Sequence, residues 1–275
     1  MQQPTWQARA LALAGLALCL ANTGLAEDLF PPCWRGGAGA TYENWSFSSS
    51  SNPANPEAFT NPNGIPQAAI SVGSYGTGWS KGPFLDRTNM WDIGLNGQIS
   101  LAIPNFGGSA TSWKYLEVQV TYFSDGTFYL PPTTSIAGAT NLSSQVVNNQ
   151  ASGPGVWYTA QSVWLVQPAL ASETVLVASG ASQGAIINQV VIDTLCPAPG
   201  QKGVSLSIQV VGPNGGQVQI SWQGGLPGVV LQSNARLDDP NGWSKVQATI
   251  QTLGCISSVT LDAVDGLRFY RLKQL

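Results

Sequence analysis

Carboxylates are the side chains of this sequence that could support catalysis, because the chain contains no histidine. Without an imidazole, the Ser-His-Asp and Cys-His nucleophile systems and the histidine-containing zinc sites are excluded. Glycoside hydrolysis by two carboxylates is the one common mechanism that this composition leaves open. No pair is marked by its spacing, so we assign no catalytic residue and expect surface, turn and capping roles for the ten carboxylates between residues 27 and 196: Glu27, Asp28, Glu43, Glu57, Asp86, Asp92, Glu117, Asp125, Glu173 and Asp193.

Aromatic rings within a glycine-rich stretch offer a second kind of chemistry, the stacking of a ring on the flat face of a sugar. The stretch reads GSYGTGWSKG and sets Tyr75 and Trp79 among glycines, which favour turns that present side chains outward. Asp86, Arg87 and Trp91 follow, and their polar groups suit sugar hydroxyls. These five residues predict a carbohydrate-binding site, with burial of Trp79 in a core as an equal alternative.

The N-terminal region has the pattern of a secretory signal peptide. An apolar run, ALALAGLALCLA, follows Arg9, and the small residues Gly24 and Ala26 precede Glu27. The run is too short to span a bilayer as a helix, and we expect residues 1–26 to be removed. Lipidation at Cys19 is the weaker alternative, because Leu18 stands where a small residue is needed. We therefore expect a secreted, extracellular or cell-surface protein whose mature chain has no membrane span.

Export makes disulfides favourable, and the mature chain keeps three cysteines. Cys33 and Cys196 flank the first long region of short strands, so we expect a bridge between them. Cys255 would then be a lone thiol, which is more often a small buried hydrophobe than a reactive group.

Short strands separated by turn signals run along the whole chain and predict an all-β protein. Residues 115–122 alternate apolar and polar side chains with a period of two, which is typical of a strand with one face in a core. Asp125 and Gly126 predict a tight hairpin between 120–123 and 127–130. The further predicted strands are 41–47, 67–72, 90–95, 98–103, 156–165, 174–178, 185–193, 217–222, 229–232, 243–250, 257–261 and 267–272.

Residues 197–203 interrupt this pattern with two prolines and two glycines and are interpreted as a linker. The linker divides the mature chain into a first domain, 27–196, and a smaller second domain, 204–275. The size and strand spacing of the second domain favour an immunoglobulin-like or fibronectin type III-like sandwich.

The second domain resembles a small β-sandwich module that is appended to exported proteins of environmental bacteria. The matching positions are Ile220, Ser221, Trp222, Leu231, Gln232, Ser233, Asn234, Leu237, Trp243, Phe269, Tyr270, Arg271 and Leu272. The resemblance implies an accessory or spacer domain without catalytic residues. The first domain resembles exported domains that open with a Pro-Pro-x-Trp-Arg-Gly segment, here 31–36 with Cys33 inserted, and its strand 187–194 is similar to the closing strand of jelly-roll carbohydrate-binding and galactose-binding-like domains. This resemblance implies a jelly roll.

Glu43 and Asp193 lie in the first and last predicted strands of that jelly roll, where some similar sugar-binding sandwiches hold a structural Ca²⁺. Calcium requires several oxygen ligands, so loop carbonyls would have to complete the site. We expect no other cofactor, and the more ordinary interpretation is that both are structural carboxylates.

The expected function is non-catalytic carbohydrate binding or adhesion, with a polysaccharide or cell-surface glycan as partner. A structural extracellular matrix or surface component that binds no small ligand is the alternative, and a carboxylate-based glycoside hydrolase comes third. Nucleic acid is excluded as a partner, because the net charge is −3 and no basic cluster is present.

Overall fold

The structure is a computed structural model that describes residues 28, 30–105, 113–196, 206–224, 229–253, 255–263 and 267–274. Within this part the protein is all-β, as predicted: it has 19 strands and, apart from a 3-10 turn at Pro213–Gly215, no helix. Nothing helical among these residues has the length and apolar character needed to cross a membrane. The predicted signal peptide, 1–26, and linker, 197–203, lie outside the described residues, and the division into two domains stays a prediction.

Twelve strands precede residue 196 and form two antiparallel sheets. They are β1 Ala40–Trp45, β2 Ala58–Thr60, β3 Gln67–Ser71, β4 Gly78–Ser80, β5 Met90–Asp92, β6 Gln98–Pro104, β7 Lys114–Ser124, β8 Thr133–Ile136, β9 Ala139–Ser152, β10 Gly155–Val166, β11 Ser172–Ala178 and β12 Ile186–Leu195. The large sheet has the order β2-β1-β12-β7-β10-β9, with β4 and β5 attached beside β12. The second sheet has the order β3-β6-β11-β8.

The main hydrophobic core lies between these two sheets. Every second residue of β6, namely Ile99, Leu101 and Ile103, is fully buried, and the same alternation along β7 contributes Leu116 and Val118. Burying a side chain of this kind stabilises the fold by about 1.5 to 3 kcal/mol. The chain alternates between the sheets from β5 to β8 and brings β1 beside β12. The jelly-roll assignment itself stays a prediction.

Seven strands after residue 206 form two smaller antiparallel sheets around their own core. They are β13 Ser207–Val211, β14 Gln217–Gln223, β15 Val229–Asn234, β16 Ser244–Lys245, β17 Gln251–Leu253, β18 Ile256–Asp262 and β19 Phe269–Gln274. One sheet has the order β13-β14-β18-β17 and the other β16-β15-β19. Ile220, Trp222, Leu231 and Val259 form the core. The immunoglobulin-like or fibronectin III-like assignment of this region also stays a prediction.

The predicted hairpin at Asp125 and Gly126 is wrong. The chain leaves β7 and enters a loop in which one carboxylate oxygen of Asp125 accepts hydrogen bonds from the backbone N–H groups of Thr127, Phe128 and Tyr129, at 2.8 to 3.0 Å. The next strand, β8, then pairs with β11 in the other sheet. A side chain that captures three backbone donors competes with the strand ladder and ends it.

The predicted disulfide between Cys33 and Cys196 is also wrong, because Cys33 is bonded to Cys255, with the Cα atoms 5.0 Å apart. Cys196 is a free thiol at the end of β12 and is 5% exposed. Its backbone N–H donates to the carbonyl of Gly39 at 2.9 Å, and burial raises the pKa of its thiol. Cys33 is half-buried and Cys255 is exposed in the turn between β17 and β18, so these two thiols can meet and Cys196 stays inside.

Candidate functional site

The glycine-rich loop presents Tyr75 outward, and its ring is 80% exposed. The loop packs its backbone against the turn after β5: Leu95 N–H donates to the carbonyl of Ser74 at 2.7 Å. A Cβ on Gly73 would lie 1.8 Å from the carbonyl oxygen of Leu95, so this close approach requires glycine. Tyr75 itself adopts a φ of 62°, in the left-handed region that is unusual for a residue with a side chain.

Trp79 and Trp91 face each other across β4 and β5 and belong to the packing of the main core. The indole N–H of Trp79 donates to the carbonyl of Phe47 at 2.8 Å, and its ring is half-buried against core residues. Trp91 is 6% exposed. Of the two alternatives for Trp79, the structure favours packing, and neither ring lies beside Tyr75 as an open platform.

Asp86 and Arg87 lie on the other side of the large sheet. They belong to a tight turn closed by hydrogen bonds between Phe84 and Arg87, with Leu85 and Asp86 both at positive φ. Arg87 lies over the Trp157 ring, 5.1 Å from its centre. The five predicted ligand-binding residues therefore do not form one surface: Tyr75 is on a loop, Trp79 and Trp91 pack on the inner side, and Asp86 and Arg87 lie on the outer side.

The predicted calcium pair does not meet either. Glu43 pairs in register with Ile192 of β12, so Asp193, the next residue, points to the opposite face of the sheet. Glu43 lies on the inner side and accepts a hydrogen bond from Asn61 at 2.9 Å, and burial raises the pKa of its carboxyl to about 7. Asp193 binds Arg35 through both oxygens, at 2.6 Å each. The described residues contain no group of three or more acidic, His or Cys ligands.

The outer face of the large sheet carries a feature that the sequence analysis missed. Polar side chains from neighbouring strands lie there in register, with Gln189 opposite Thr121, Thr121 opposite Thr159, and Gln119 opposite Gln161. We call this set the amide row. Its members are Asn44, Gln119, Thr121, Thr159, Gln161 and Gln189. The signal was present in the sequence, because the polar residues of 115–122 recur at every second position.

Hydrogen bonds connect the amide row across the strands. Gln189 donates to the side-chain oxygen of Asn44 at 3.0 Å, and the hydroxyls of Thr121 and Thr159 are 3.1 Å apart. Gln119, Thr121, Thr159 and Gln189 are each less than 5% exposed, whereas Asn44 and Gln161 are half-buried and reachable from solvent. Buried polar groups of this kind are normally fully hydrogen-bonded, and Gln119 also donates to the carbonyl of Phe30 at 2.7 Å. Of the row, only Asn44 and Gln161 are therefore accessible to a ligand.

Two arginines stand at opposite ends of the row. Arg87 donates to the side-chain oxygen of Asn188 at 2.9 Å and approaches Gln150 at 3.4 Å. At the other end the guanidinium of Arg35 lies 4.1 Å from the centre of the Tyr42 ring and also pairs with Asp28. Each arginine therefore lies over an aromatic ring, but the Trp157 ring is buried, and of the two rings only that of Tyr42 is partly exposed.

Two carboxylates lie next to each other at the Arg35 end of the row, because Glu117 is directly opposite Asp193. Burial raises the pKa of Glu117 to about 7, against the lowering effect of the hydrogen bond from Gln161. Burial also raises the pKa of Asp193 to about 6, although Arg35 lowers it. Glu117 could donate a proton near neutral pH, but Arg35 engages both oxygens of Asp193, so this pair does not supply the free second carboxylate that glycoside hydrolysis requires.

A separate cavity of about 370 Å³ lies among the strands after residue 206. Lys245, Asp262 and Arg268 contribute its charged groups, and Tyr270 its ring. The cavity combines residues of both small sheets, but it lacks the in-register polar set of the amide row.

Comparison of the chain with models of known protein families and with curated proteins finds no match. The functional conclusion therefore depends on the residues of the site.

Proposed function

We propose that this protein is an exported, non-catalytic protein that binds a polysaccharide or cell-surface glycan along the outer face of its large sheet. The observation that carries the proposal is the amide row, an ordered set of side-chain amides and hydroxyls on the sheet face opposite the core. Sugar hydroxyls both donate and accept hydrogen bonds, and amide side chains offer both functions from one group. The signal-peptide pattern before Glu27 supports export.

The dimensions of the face suit a chain-like ligand. Neighbouring strands are about 4.8 Å apart, so the five strands from β1 to β9 extend over about 20 Å. A polymer lying across them would meet Asn44 first and Gln161 later, with Arg35 and Arg87 on either side. The half-exposed members are the ones that a ligand reaches without rearrangement of the sheet.

Gln161→Ala tests this proposal. The Gln161 amide donates to Glu117 at 2.7 Å and accepts from Gln145 at 3.1 Å, so the substitution removes a solvent-reachable amide and disturbs its neighbours. Loss of one hydrogen bond of about 1 kcal/mol should weaken binding about fivefold. The measurement is retardation of the mature protein in native gels that contain a panel of soluble plant, algal and bacterial polysaccharides.

Gln67→Ala is the matched control, because Gln67 is an exposed glutamine on β3 of the other sheet. It should bind like the wild type. Equal retardation of the Gln161 and Gln67 variants by a polysaccharide that the wild type binds would place the site elsewhere.

A structural role without a small ligand is the second candidate, and the burial of the tryptophan rings favours it. Trp34, Trp45, Trp91, Trp157 and Trp164 are each less than 9% exposed, so they pack inside rather than forming platforms. Absence of retardation by every polysaccharide, together with co-sedimentation of the protein with the cell-surface fraction of its source, would favour this second role.

A further inference from the structure

A buried lysine lies between the two sheets of the first region, at the end where β7 begins. Lys114 and Glu173 are both fully buried side chains, and the lysine Nζ is 2.5 Å from Glu173 Oε2. Glu173 comes from β11 in the second sheet, and Lys114 from β7 in the large sheet. An unpaired charge in a buried site strongly destabilises a fold, so the amine and the carboxylate are expected to stay paired.

An asparagine amide completes a triad with this pair. Asn105, directly after β6, donates from Nδ2 to Glu173 Oε1 at 3.2 Å and to the carbonyl of Leu170 at 2.9 Å. One carboxylate therefore contacts an amine through one oxygen and a carboxamide through the other. The amine of Lys114 and the carboxamide of Asn105 therefore both lie within hydrogen-bond reach of one buried carboxylate.

We propose that Lys114 and Asn105 form an intramolecular isopeptide bond, with Glu173 as the proton-transfer group. The neutral Nζ of Lys114 attacks Cγ of Asn105, and the new C–N bond forms as the bond from Cγ to Nδ2 breaks. Glu173 takes a proton from the attacking amine and delivers it to Nδ2, which leaves as ammonia. The step consumes one amine and one carboxamide and gives one secondary amide and one ammonia, so it needs no oxidant or co-reactant.

The surroundings of the triad favour this reaction. Burial lowers the pKa of Lys114, which increases the fraction of the nucleophilic neutral amine. Holding two reacting groups side by side raises their effective concentration by many orders of magnitude, which accelerates the reaction between them. A carboxyl group beside them adds general acid–base catalysis. Departure of ammonia into solvent makes the step irreversible.

A second amide lies nearby but lacks the same connection. Asn61 donates to Glu43 at 2.9 Å and to the carbonyl of Pro104 at 3.0 Å, so it is held by a different carboxylate from the one that contacts Lys114 Nζ. Asn105 shares its carboxylate with Lys114 directly. The geometry therefore assigns the bond to Asn105.

Mass spectrometry of the full mature protein, reduced and alkylated, tests the proposal. The intact mass should be lower than the sequence mass by one ammonia. Trypsin cleaves after lysine and arginine, and a free Lys114 would give the peptide 88–114. Acylation of Lys114 blocks that cleavage, so the expected product is the peptide 88–202, lighter by one ammonia. Because the new bond closes a ring from 105 to 114, fragmentation should give no backbone fragment ions from within that ring.

Variants separate the bond from an ordinary ion pair. Lys114→Arg keeps the cation beside Glu173 but removes the nucleophilic amine, and Glu173→Gln removes the proton transfer, so both should show the full sequence mass. Asn105→Asp should lose one water in place of ammonia, while the matched control Asn61→Ser should still lose one ammonia. Circular dichroism of each variant confirms that it has folded.

Recovery of an unmodified peptide 88–114 from folded wild-type protein would overturn the proposal. So would a cross-link of 88–202 to the peptide 36–81, which contains Asn61. Loss of ammonia that persists in the folded Lys114→Arg variant would equally refute it.

Discussion

The buried carboxyl of Glu117 should make the stability of the protein fall as the pH rises. Its pKa in the folded state is about 7, above the ordinary value of 4.5. A folded state with a raised carboxyl pKa binds the proton more tightly than the unfolded chain. The stabilisation is therefore complete below about pH 4.5 and is lost as the pH rises through about 7.

The difference between the two pKa values sets the magnitude. It corresponds to about 3 kcal/mol, which wild-type protein loses through this group as the pH rises from about 4.5 to about 7, most of it above about pH 5. Glu117→Gln removes the titration but keeps a side-chain oxygen that can accept from Gln161. The variant should therefore be more stable than the wild type at about pH 8, with a smaller advantage or none at about pH 5.

Urea unfolding followed by tryptophan fluorescence at four pH values across this range measures the effect, because buried tryptophans report loss of the core. Asp125→Asn is a useful control. The slight burial of Asp125 alone would raise its pKa, but three backbone hydrogen bonds lower it below its ordinary range. Asp125 is therefore ionised throughout this pH range, and Asp125→Asn should lose the same stability at both ends of it. Parallel pH profiles for the wild type and Glu117→Gln would refute the reasoning from burial.

Two further predictions concern the disulfide and the paired indoles. Peptide mapping without reduction should link Cys33 to Cys255, and Cys255→Ser should lower the free energy of unfolding by up to about 5 kcal/mol, the chain-entropy value for a separation of 222 residues. Cys196 should resist alkylation until the protein unfolds, and a bridge from Cys196 to either other cysteine would contradict the structure. Trp79→Ala should cost about 2 to 4 kcal/mol of stability, because it removes a ring packed on the core and its hydrogen bond to Phe47. Any polysaccharide affinity of the protein should remain, whereas unchanged thermal stability with lost affinity would return Trp79 to the binding site.

Period-two patterns predicted the fold class and many of the strands. Residues 98–103 are inside β6, and 115–122 are inside β7, because one face of each strand must meet a core. The longest strand, β9, was missed, because Ala139–Ser152 is mostly polar and its few apolar residues do not alternate. Of the predicted strand 243–250, only Ser244–Lys245 forms. The alternating pattern of 243–250 did not produce a full strand, because only two of its residues pair with β15.

Sequence reasoning about the site succeeded for single residues and failed for their arrangement. The glycines around Tyr75 correctly indicated an outward-facing ring. Adjacency in sequence did not reveal that the chain crosses from the inner side of the sheet at Trp79 to the outer side at Arg87. Likewise, Glu43 and Asp193 lie on neighbouring strands, but the register places them on opposite faces, and register depends on long-range pairing that no local pattern encodes.

The disulfide between Cys33 and Cys255 turns most of the polypeptide into a covalent ring. Every peptide bond between these two cysteines, including those of the predicted linker 197–203, belongs to that ring. A single protease cut there adds one water and opens the ring but releases no fragment, so the nicked protein stays one covalent molecule until a reductant is added. Both strand-rich regions therefore stay on one molecule after a first cleavage between the two cysteines.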